Sequence, residues 1–207
     1  MSNEFHPDSA QPSPQPVRVQ LPDHKPYVTI VILVTTVLVF ILQFAIQYFT
    51  GIDLLFLYGG KINQFILKGE VWRLITPAFL HGSEWHILIN MYALFVIGKR
   101  LERFYGHWRL ILLYFLSAFA GNVLSFVLSP ASSLGASTAI FGLFAAEGVF
   151  IYQNRMLFGK EPTPQAIMNF GLLLIINLGF GFIYRLQVDN FGHIGGLLGG
   201  VFFAWKA

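Results

Sequence analysis

The sequence contains no cysteine, which excludes disulfide bonds, thiolate catalysis and cysteine-ligated zinc sites. Charge is also scarce: charged residues make up 11% of the chain, and the net charge is only +3. Because the positive residues stand beside apolar segments and form no basic stripe, nucleic acid is not an expected partner. Apolar residues make up 55% of the 207 residues, too many for a water-soluble domain of this size. Membrane lipid is therefore the expected environment.

The first 26 residues differ from the rest in composition. They hold six of the ten prolines together with scattered polar residues, a mixture that cannot bury enough apolar surface to become ordered. They also lack a basic start followed by a short apolar stretch, so no cleaved targeting signal is expected. Residues 1–26 are predicted to be a disordered cytoplasmic tail, and residues 27–207 a single helical domain.

Long apolar runs predict the secondary structure of that domain. A helix needs about 20 mostly apolar residues to span a bilayer, and the run from 27 to about 49 has no charged residue. Residues 50–84 mix charged and aromatic positions, which is typical of an amphipathic loop in the membrane interface. Further spans are predicted at 86–103, 108–128, 137–153, 166–184 and 191–205. The prediction is an all-α membrane protein with six transmembrane helices and an interfacial first external loop.

The distribution of lysine and arginine predicts the orientation of these helices. If the N-terminus is cytoplasmic, nine of the 13 Lys and Arg residues lie on the cytoplasmic side and four lie outside. Positive residues are enriched in cytoplasmic loops. Both termini are therefore expected in the cytoplasm, and the expected location is a bacterial inner (plasma) membrane.

Four polar side chains stand out within the predicted spans: Ser137, His193, His86 and Asn90. Polar groups inside a membrane are costly and often functional. Counting helix rise to the next cytoplasmic charge places Ser137 and His193 in the same outer half of the bilayer. His193 shares a helix face with Gly196 and Gly200, which suits close docking of the last span on the span that begins at Ser137. There, His193 can act as the general base for a Ser137 nucleophile.

His86 and Asn90 stand four residues apart and therefore on one helix face. Both side chains can donate hydrogen bonds, so they are candidates for an oxyanion site, together with backbone N–H groups near Ser137. Together with Ser137 and His193, these donors supply the groups that acyl transfer needs, without a third, acidic residue. No organic cofactor or metal is expected, because the sequence has neither a zinc-protease motif nor paired intramembrane aspartates.

Each of these residues also has an ordinary explanation. A serine at a helix start is commonly a cap. An intramembrane histidine can be a structural hydrogen-bonding group, a proton carrier or a metal ligand. The pair His86 and Asn90 can simply join two helices. A transporter that uses His86 and His193 as proton carriers is a further alternative, although the sequence lacks its repeat symmetry.

Four segments resemble the rhomboid family of intramembrane serine proteases. Residues 135–143 are similar to the family's nucleophile motif, residues 188–200 to its last helix, and residues 81–90 to its second helix, while residues 70–73 resemble its Trp-Arg signature. The resemblance implies a nucleophile at Ser137, a base at His193 and an oxyanion site at His86 and Asn90. It also implies that Gly135 and Phe141 pack around the active site.

The implied function is an intramembrane endopeptidase that uses a Ser137/His193 dyad to cleave single-pass transmembrane proteins. The alternative is a catalytically weak or inactive rhomboid-like protein that binds membrane clients. Thr138 departs from the family pattern, which more often has glycine after the serine, and a side chain there is expected to crowd a substrate or alter the oxyanion loop. For Asp189, four residues before His193, a capping or loop role is predicted rather than that of a triad acid.

Overall fold

The longest uncharged run of the sequence forms the first helix. Helix α1 spans Tyr27–Thr50 and ends at Gly51, whose φ of 73° and backbone N–H bond to the Gln47 carbonyl close the last turn. A left-handed residue of this kind is a common helix terminator, and glycine adopts it without strain. The structure, a computed structural model, describes residues 24–155 and 188–207.

Short helical turns make up the segment between α1 and the bundle. Helix α2 spans Leu54–Gly59 and is capped by the Asp53 carboxylate; α3 spans Asn63–Ile66, and 3-10 turns follow at Val71–Leu74 and Thr76–Phe79. Arg73 is buried within this segment and donates to the carbonyls of Gly60 and Leu57. The charged residues that suggested an amphipathic loop thus partly serve to hold its turns together.

The remaining four helices match the predicted spans to within two residues at each end. They are α4 (Glu84–Tyr105), α5 (His107–Leu128), α6 (Ser137–Gln153) and α7 (Asn190–Lys206). Ser83 caps α4 by accepting from the His86 N–H. The span predicted at 166–184 lies outside the described residues. Within the described ranges there is no β-strand, and the only β-type pairing is an isolated bridge between Lys61 and Ser133.

Glycines on two sides of α7 set its position in the bundle. A Cβ atom at Gly196 or Gly200 would overlap the carbonyl oxygen of Thr138 or Gly142 on α6. A Cβ atom at Gly195 would lie 2.7 Å from the Ala120 carbonyl oxygen on α5. Only glycine permits backbones to approach this closely. The predicted docking of α7 on α6 through Gly196 and Gly200 is confirmed, and α7 packs against α5 as well.

Two helices of the described part, α1 and α5, are long and apolar enough to cross a membrane. Helices α6 and α7 are shorter, at 17 residues each, and α4 carries five charged residues, Glu84, Lys99, Arg100, Glu102 and Arg103. Apolar side chains cover the outer surface of α1, where Val31, Leu38 and Phe49 are at least 60% exposed. Such a surface suits lipid rather than water. The helical fold class is confirmed, while the count of six spans stays a prediction.

Candidate active site

The turn before α6 brings Ser137 to the start of a helix. Ser137 is the first residue of α6. The first backbone N–H groups of a helix have no intrahelical partner, and no side chain caps those of α6. Gly135, two residues earlier, has a φ of 129°, which an L-residue with a side chain rarely adopts. A Cβ atom there would lie 2.8 Å from Cε1 and Nε2 of His86. Glycine therefore lets the His86 ring lie beside the serine turn.

His193 reaches Ser137 from α7. Its Nε2 atom lies 2.8 Å from the Ser137 Oγ, within hydrogen-bond distance. The Phe141 ring, one turn further along α6, stacks on the imidazole with ring centroids 4.2 Å apart and planes inclined by 13°. The glycine contacts of α7 bring its backbone close enough for this approach. The structure thus brings Ser137, Phe141 and His193 together, as the sequence led us to expect.

The other imidazole nitrogen of His193, Nδ1, has no hydrogen-bond partner among the described residues. The nearby carboxylate of Asp189 is engaged elsewhere: it accepts from the Gly192 N–H at 2.8 Å, from the Ser133 hydroxyl at 2.6 Å and from the Ser125 hydroxyl. The capping role predicted for Asp189 is confirmed. Among the described residues, no carboxylate is hydrogen-bonded to the candidate base.

His86 and Asn90 share a cavity with Ser137. All six residues predicted for the site line this cavity of about 290 Å³, namely His86, Asn90, Gly135, Ser137, Phe141 and His193. The Asn90 side-chain amide donates to the His86 carbonyl at 3.0 Å, which uses one of its two hydrogens. Within the described ranges, no three side chains of His, Asp or Glu converge as metal ligands would.

Two polar residues of the site had no role in the sequence interpretation. Asn122 of α5 lines the cavity and donates to the Leu74 carbonyl at 3.0 Å. His81 is buried beneath the nucleophile turn, with its Nε2 atom 3.5 Å from the Ala136 nitrogen and its ring 5.0 Å from that of His86. Burial, reinforced by the His86 ring, lowers the pKa of His81 to about 3, so His81 is neutral at physiological pH. A polar residue inside an apolar run was the available signal for Asn122.

Thr138 packs mainly against neighbouring helices. A Cβ atom at Gly121 would lie 2.9 Å from the Thr138 Cβ, and one at Gly192 would lie 2.9 Å from its Cγ2. The threonine side chain therefore fills space above glycines of α5 and α7, while the residue still forms part of the cavity wall. This geometry gives the side chain a packing role beside any effect on a substrate.

Comparison with known proteins relates this geometry to a family. The family model described as the Rhomboid domain matches residues 68–207. The chain belongs to the Rhomboid family. Members of this family are embedded in membranes, in agreement with the apolar helices α1 and α5.

Several relatives within the Rhomboid family align with most of this chain. Rhomboid protease GluP of Bacillus subtilis (strain 168) is 40% identical over 180 residues, which are 87% of this chain and 34% of that protein. RHOMBOID-like protein 5 of Arabidopsis thaliana is 37% identical over 70% of this chain and 46% of its own length. Rhomboid-like protease 3 of Toxoplasma gondii is 37% identical over 71% of this chain and 56% of its own length. The chain thus spans between about a third and just over half of these relatives.

Proposed function

We propose that this chain is an intramembrane serine endopeptidase that cleaves transmembrane segments of single-pass membrane proteins. The observation that carries the proposal is the 2.8 Å approach of the His193 Nε2 to the Ser137 Oγ beside a cavity. Membership of the Rhomboid family supports it, as do relatives whose names include the word protease.

The proposed reaction begins with the serine hydroxyl. His193 Nε2 accepts the Ser137 proton while the Oγ attacks the carbonyl carbon of the scissile peptide bond. The resulting imidazolium then protonates the leaving amine, and an acyl-enzyme remains on Ser137. Water, deprotonated by the same imidazole, hydrolyses this ester and restores the hydroxyl. The stacked Phe141 ring favours this cycle because it limits rotation of the imidazole.

Hydrogen-bond donors around Ser137 suit the oxyanion that forms during this attack. The first N–H groups of α6 are unpaired within the helix and carry its partial positive charge. The imidazole of His86 lies against Gly135, and the Asn90 amide retains a second hydrogen. Donors held in advance near a developing negative charge are commonly the largest contribution to such catalysis.

The proposed setting is a bundle of six transmembrane helices in a bacterial inner membrane, with both termini in the cytoplasm. Ser137 and His193 stand at the starts of α6 and α7, so in this orientation the cavity opens towards the outer side. Water enters from that side to hydrolyse the acyl-enzyme. A substrate helix must unwind locally there, because the backbone carbonyl of an intact helix is hydrogen-bonded and shielded.

The decisive experiment measures cleavage of a model single-pass substrate by purified protein in lipid vesicles. Wild-type protein is expected to release two fragments, whereas Ser137→Ala and His193→Ala lose activity because they remove the nucleophile and the base. Labelling by a fluorophosphonate probe gives a second measurement that does not depend on the choice of substrate. Wild type is expected to be labelled, and Ser137→Ala is not.

Ser132→Ala provides the matched control, because Ser132 is an exposed serine in the same loop. It should cleave and be labelled like wild type. Cleavage by folded Ser137→Ala would rule out the proposed nucleophile. A folded wild type that binds the substrate but neither cleaves it nor reacts with the probe would favour the alternative of a client-binding protein.

A further inference from the structure

The segment that leads to Ser137 is held by the interfacial loop through backbone pairing. Residues 129–136 connect α5 to α6. Ser133, in the middle of this segment, forms an antiparallel bridge with Lys61: the Lys61 N–H donates to the Ser133 carbonyl at 2.9 Å, and the Ser133 N–H donates to the Lys61 carbonyl at 3.0 Å. This bridge joins parts of the chain more than 70 residues apart.

Two side chains of the interfacial loop add to this pairing. The Lys61 ammonium donates to the carbonyls of Ser129 at 3.0 Å and Ala131 at 2.8 Å. The Asn63 amide donates to the same Ser129 carbonyl at 2.9 Å and to the Phe126 carbonyl at 3.1 Å. We name Lys61 and Asn63 the interfacial clamp. Its donors satisfy carbonyls at the end of α5 and in the segment after it.

Lys61 is unusual because it is completely buried, at 0% exposure. No carboxylate lies within ion-pair distance of it among the described residues, and its ammonium is satisfied by carbonyl oxygens instead. Burial lowers the pKa of Lys61, although the charge of Asp189 partly opposes this shift. Burying a cation without an ion pair is costly. Of the loop's lysines, Lys68 is exposed, with its ammonium 5.7 Å from the centre of the Phe65 ring.

The clamped segment is also attached to the candidate active site. The Ser133 hydroxyl donates to Asp189, the cap of the helix that carries His193. The Gly135 N–H donates to the Pro77 carbonyl at 2.9 Å, just before Ser137. A shift of residues 129–133 would therefore move both the nucleophile turn and a contact to the helix of the base.

We propose that the interfacial clamp, Lys61 with Asn63, positions the nucleophile by holding residues 129–136 in the conformation that aims Ser137 at His193. This inference rests on the proposed protease function. The clamp touches no reacting atom, so it acts through the segment. It would give the interfacial loop a role in catalysis besides its own folding.

A purely structural clamp and a positioning clamp differ in a measurable way. Loss of a structural clamp lowers the fraction of folded protein but leaves each folded molecule fully reactive. Loss of a positioning clamp lowers the reactivity of Ser137 in folded molecules, because misplacing a nucleophile by about 1 Å can cost up to 100-fold in rate. The reaction of Ser137 with a small fluorophosphonate probe therefore separates the two roles.

The test compares wild type with Lys61→Met, which keeps the length of the side chain and removes the ammonium. Folded protein is selected by size exclusion and by its thermal unfolding curve. The rate constant for probe labelling per folded molecule and kcat are each expected to fall about tenfold, with KM within about twofold. Hydrogen exchange should accelerate at residues 129–136, where the Ser133 N–H loses protection.

Lys68→Met is the matched control and should behave like wild type in every measurement. Asn63→Leu removes the second donor of the clamp and provides a test if Lys61→Met does not fold; its labelling rate constant is expected to fall about threefold. The positioning role would be overturned if folded Lys61→Met showed wild-type rate constants. If Lys61→Met is not recovered, wild-type rate constants in folded Asn63→Leu would overturn it in the same way. An unlabelled and inactive wild type would overturn the protease function itself, and the positioning role with it.

Discussion

Two carboxylates that cap helices stabilise opposite ends of the helical bundle in different ways. Glu102, near the end of α4, is completely buried. It accepts from the backbone N–H groups of Val28 and Thr29, each at 2.8 Å, and from the Thr29 hydroxyl at 2.6 Å. Its other neighbour is the His107 imidazole at 2.6 Å. Glu102 thus caps the start of α1 from a position 73 residues later in the chain.

Asp189 also caps the start of a helix, but it does so within its own segment of the chain. It caps its own helix through the N–H of Gly192, three residues later, and also accepts from the hydroxyls of Ser125 and Ser133. The two carboxylates lie near opposite ends of α5, a helix of 22 residues or about 33 Å. Asp189 lines the cavity with Ser137 and His193, whereas Glu102 does not.

This comparison shows that capping a helix and accepting several hydrogen bonds do not by themselves mark a functional carboxylate. Both groups satisfy helix N–H donors and suit the positive end of the helix dipole. What differs is the neighbourhood: Glu102 joins the ends of three helices, while Asp189 joins the nucleophile segment to the helix of the base. We therefore expect Glu102 to affect stability alone and Asp189 to affect stability and rate.

The largest effect on stability is expected for Glu102→Ala. It leaves two backbone N–H groups and the Thr29 hydroxyl without their acceptor inside the protein. Buried donors left in this way should lower the free energy of unfolding by about 3 to 5 kcal/mol in total. Denaturant titration in mixed micelles measures this change. Cleavage per folded molecule should remain within about twofold of wild type, because no active-site contact is altered.

Glu102→Gln is the control for this prediction, because its amide oxygen can still accept one of the bonds from α1. It should lose less stability than Glu102→Ala. If folded Glu102→Ala cleaved much more slowly than wild type, the contrast between the two carboxylates would fail.

A smaller loss of stability, accompanied by a loss of rate, is expected for Asp189→Ala. Removing the cap of α7 should cost about 1 to 2 kcal/mol in the free energy of unfolding. The Ser133 hydroxyl also loses its acceptor, so cleavage per folded molecule should fall about tenfold as the nucleophile segment shifts. Unfolding curves and substrate cleavage, measured on the same preparation, separate the two effects.

Asp189→Asn retains an oxygen that can cap α7 and accept from the serines. It should recover most of the stability and rate lost in Asp189→Ala. Wild-type cleavage by folded Asp189→Ala would show that this carboxylate, like Glu102, serves stability alone.

The smallest effect is expected for Thr29→Val, which removes one hydroxyl bond to Glu102 and preserves the shape of the side chain. The free energy of unfolding should fall by about 1 kcal/mol. Thr50→Val is the matched control on the same helix, because the Thr50 hydroxyl is exposed and bonds to the Ile46 and Ile52 carbonyls. An equal effect of both substitutions would indicate a general property of threonine in α1 rather than the Glu102 contact.

Local patterns were sufficient to predict much of the fold and the candidate site. The apolar runs located α4 to α7 to within two residues, because their ends coincide with charged, proline or glycine residues. The spacing of His193, Gly196 and Gly200 predicted the docking of α7 on α6, because residues three and four apart share a helix face. The mixture of charged and aromatic positions in residues 50–84 predicted an interfacial loop. It did not predict the short helices of this loop, because their turns depend on contacts of Arg73 with the carbonyls of Gly60 and Leu57.

The sequence by itself determined the helical class, the positions of the described helices, the family resemblance and six of the residues that line the cavity, because these follow from composition, periodicity and short motifs. Only the tertiary structure decided which polar groups outside the predicted site meet across the chain. Lys61 with Ser129, and Glu102 with Thr29, are 68 and 73 residues apart, and no local pattern encodes such pairs. Their contacts follow from packing, since a buried donor or acceptor must find whichever partner the neighbouring helices bring within reach.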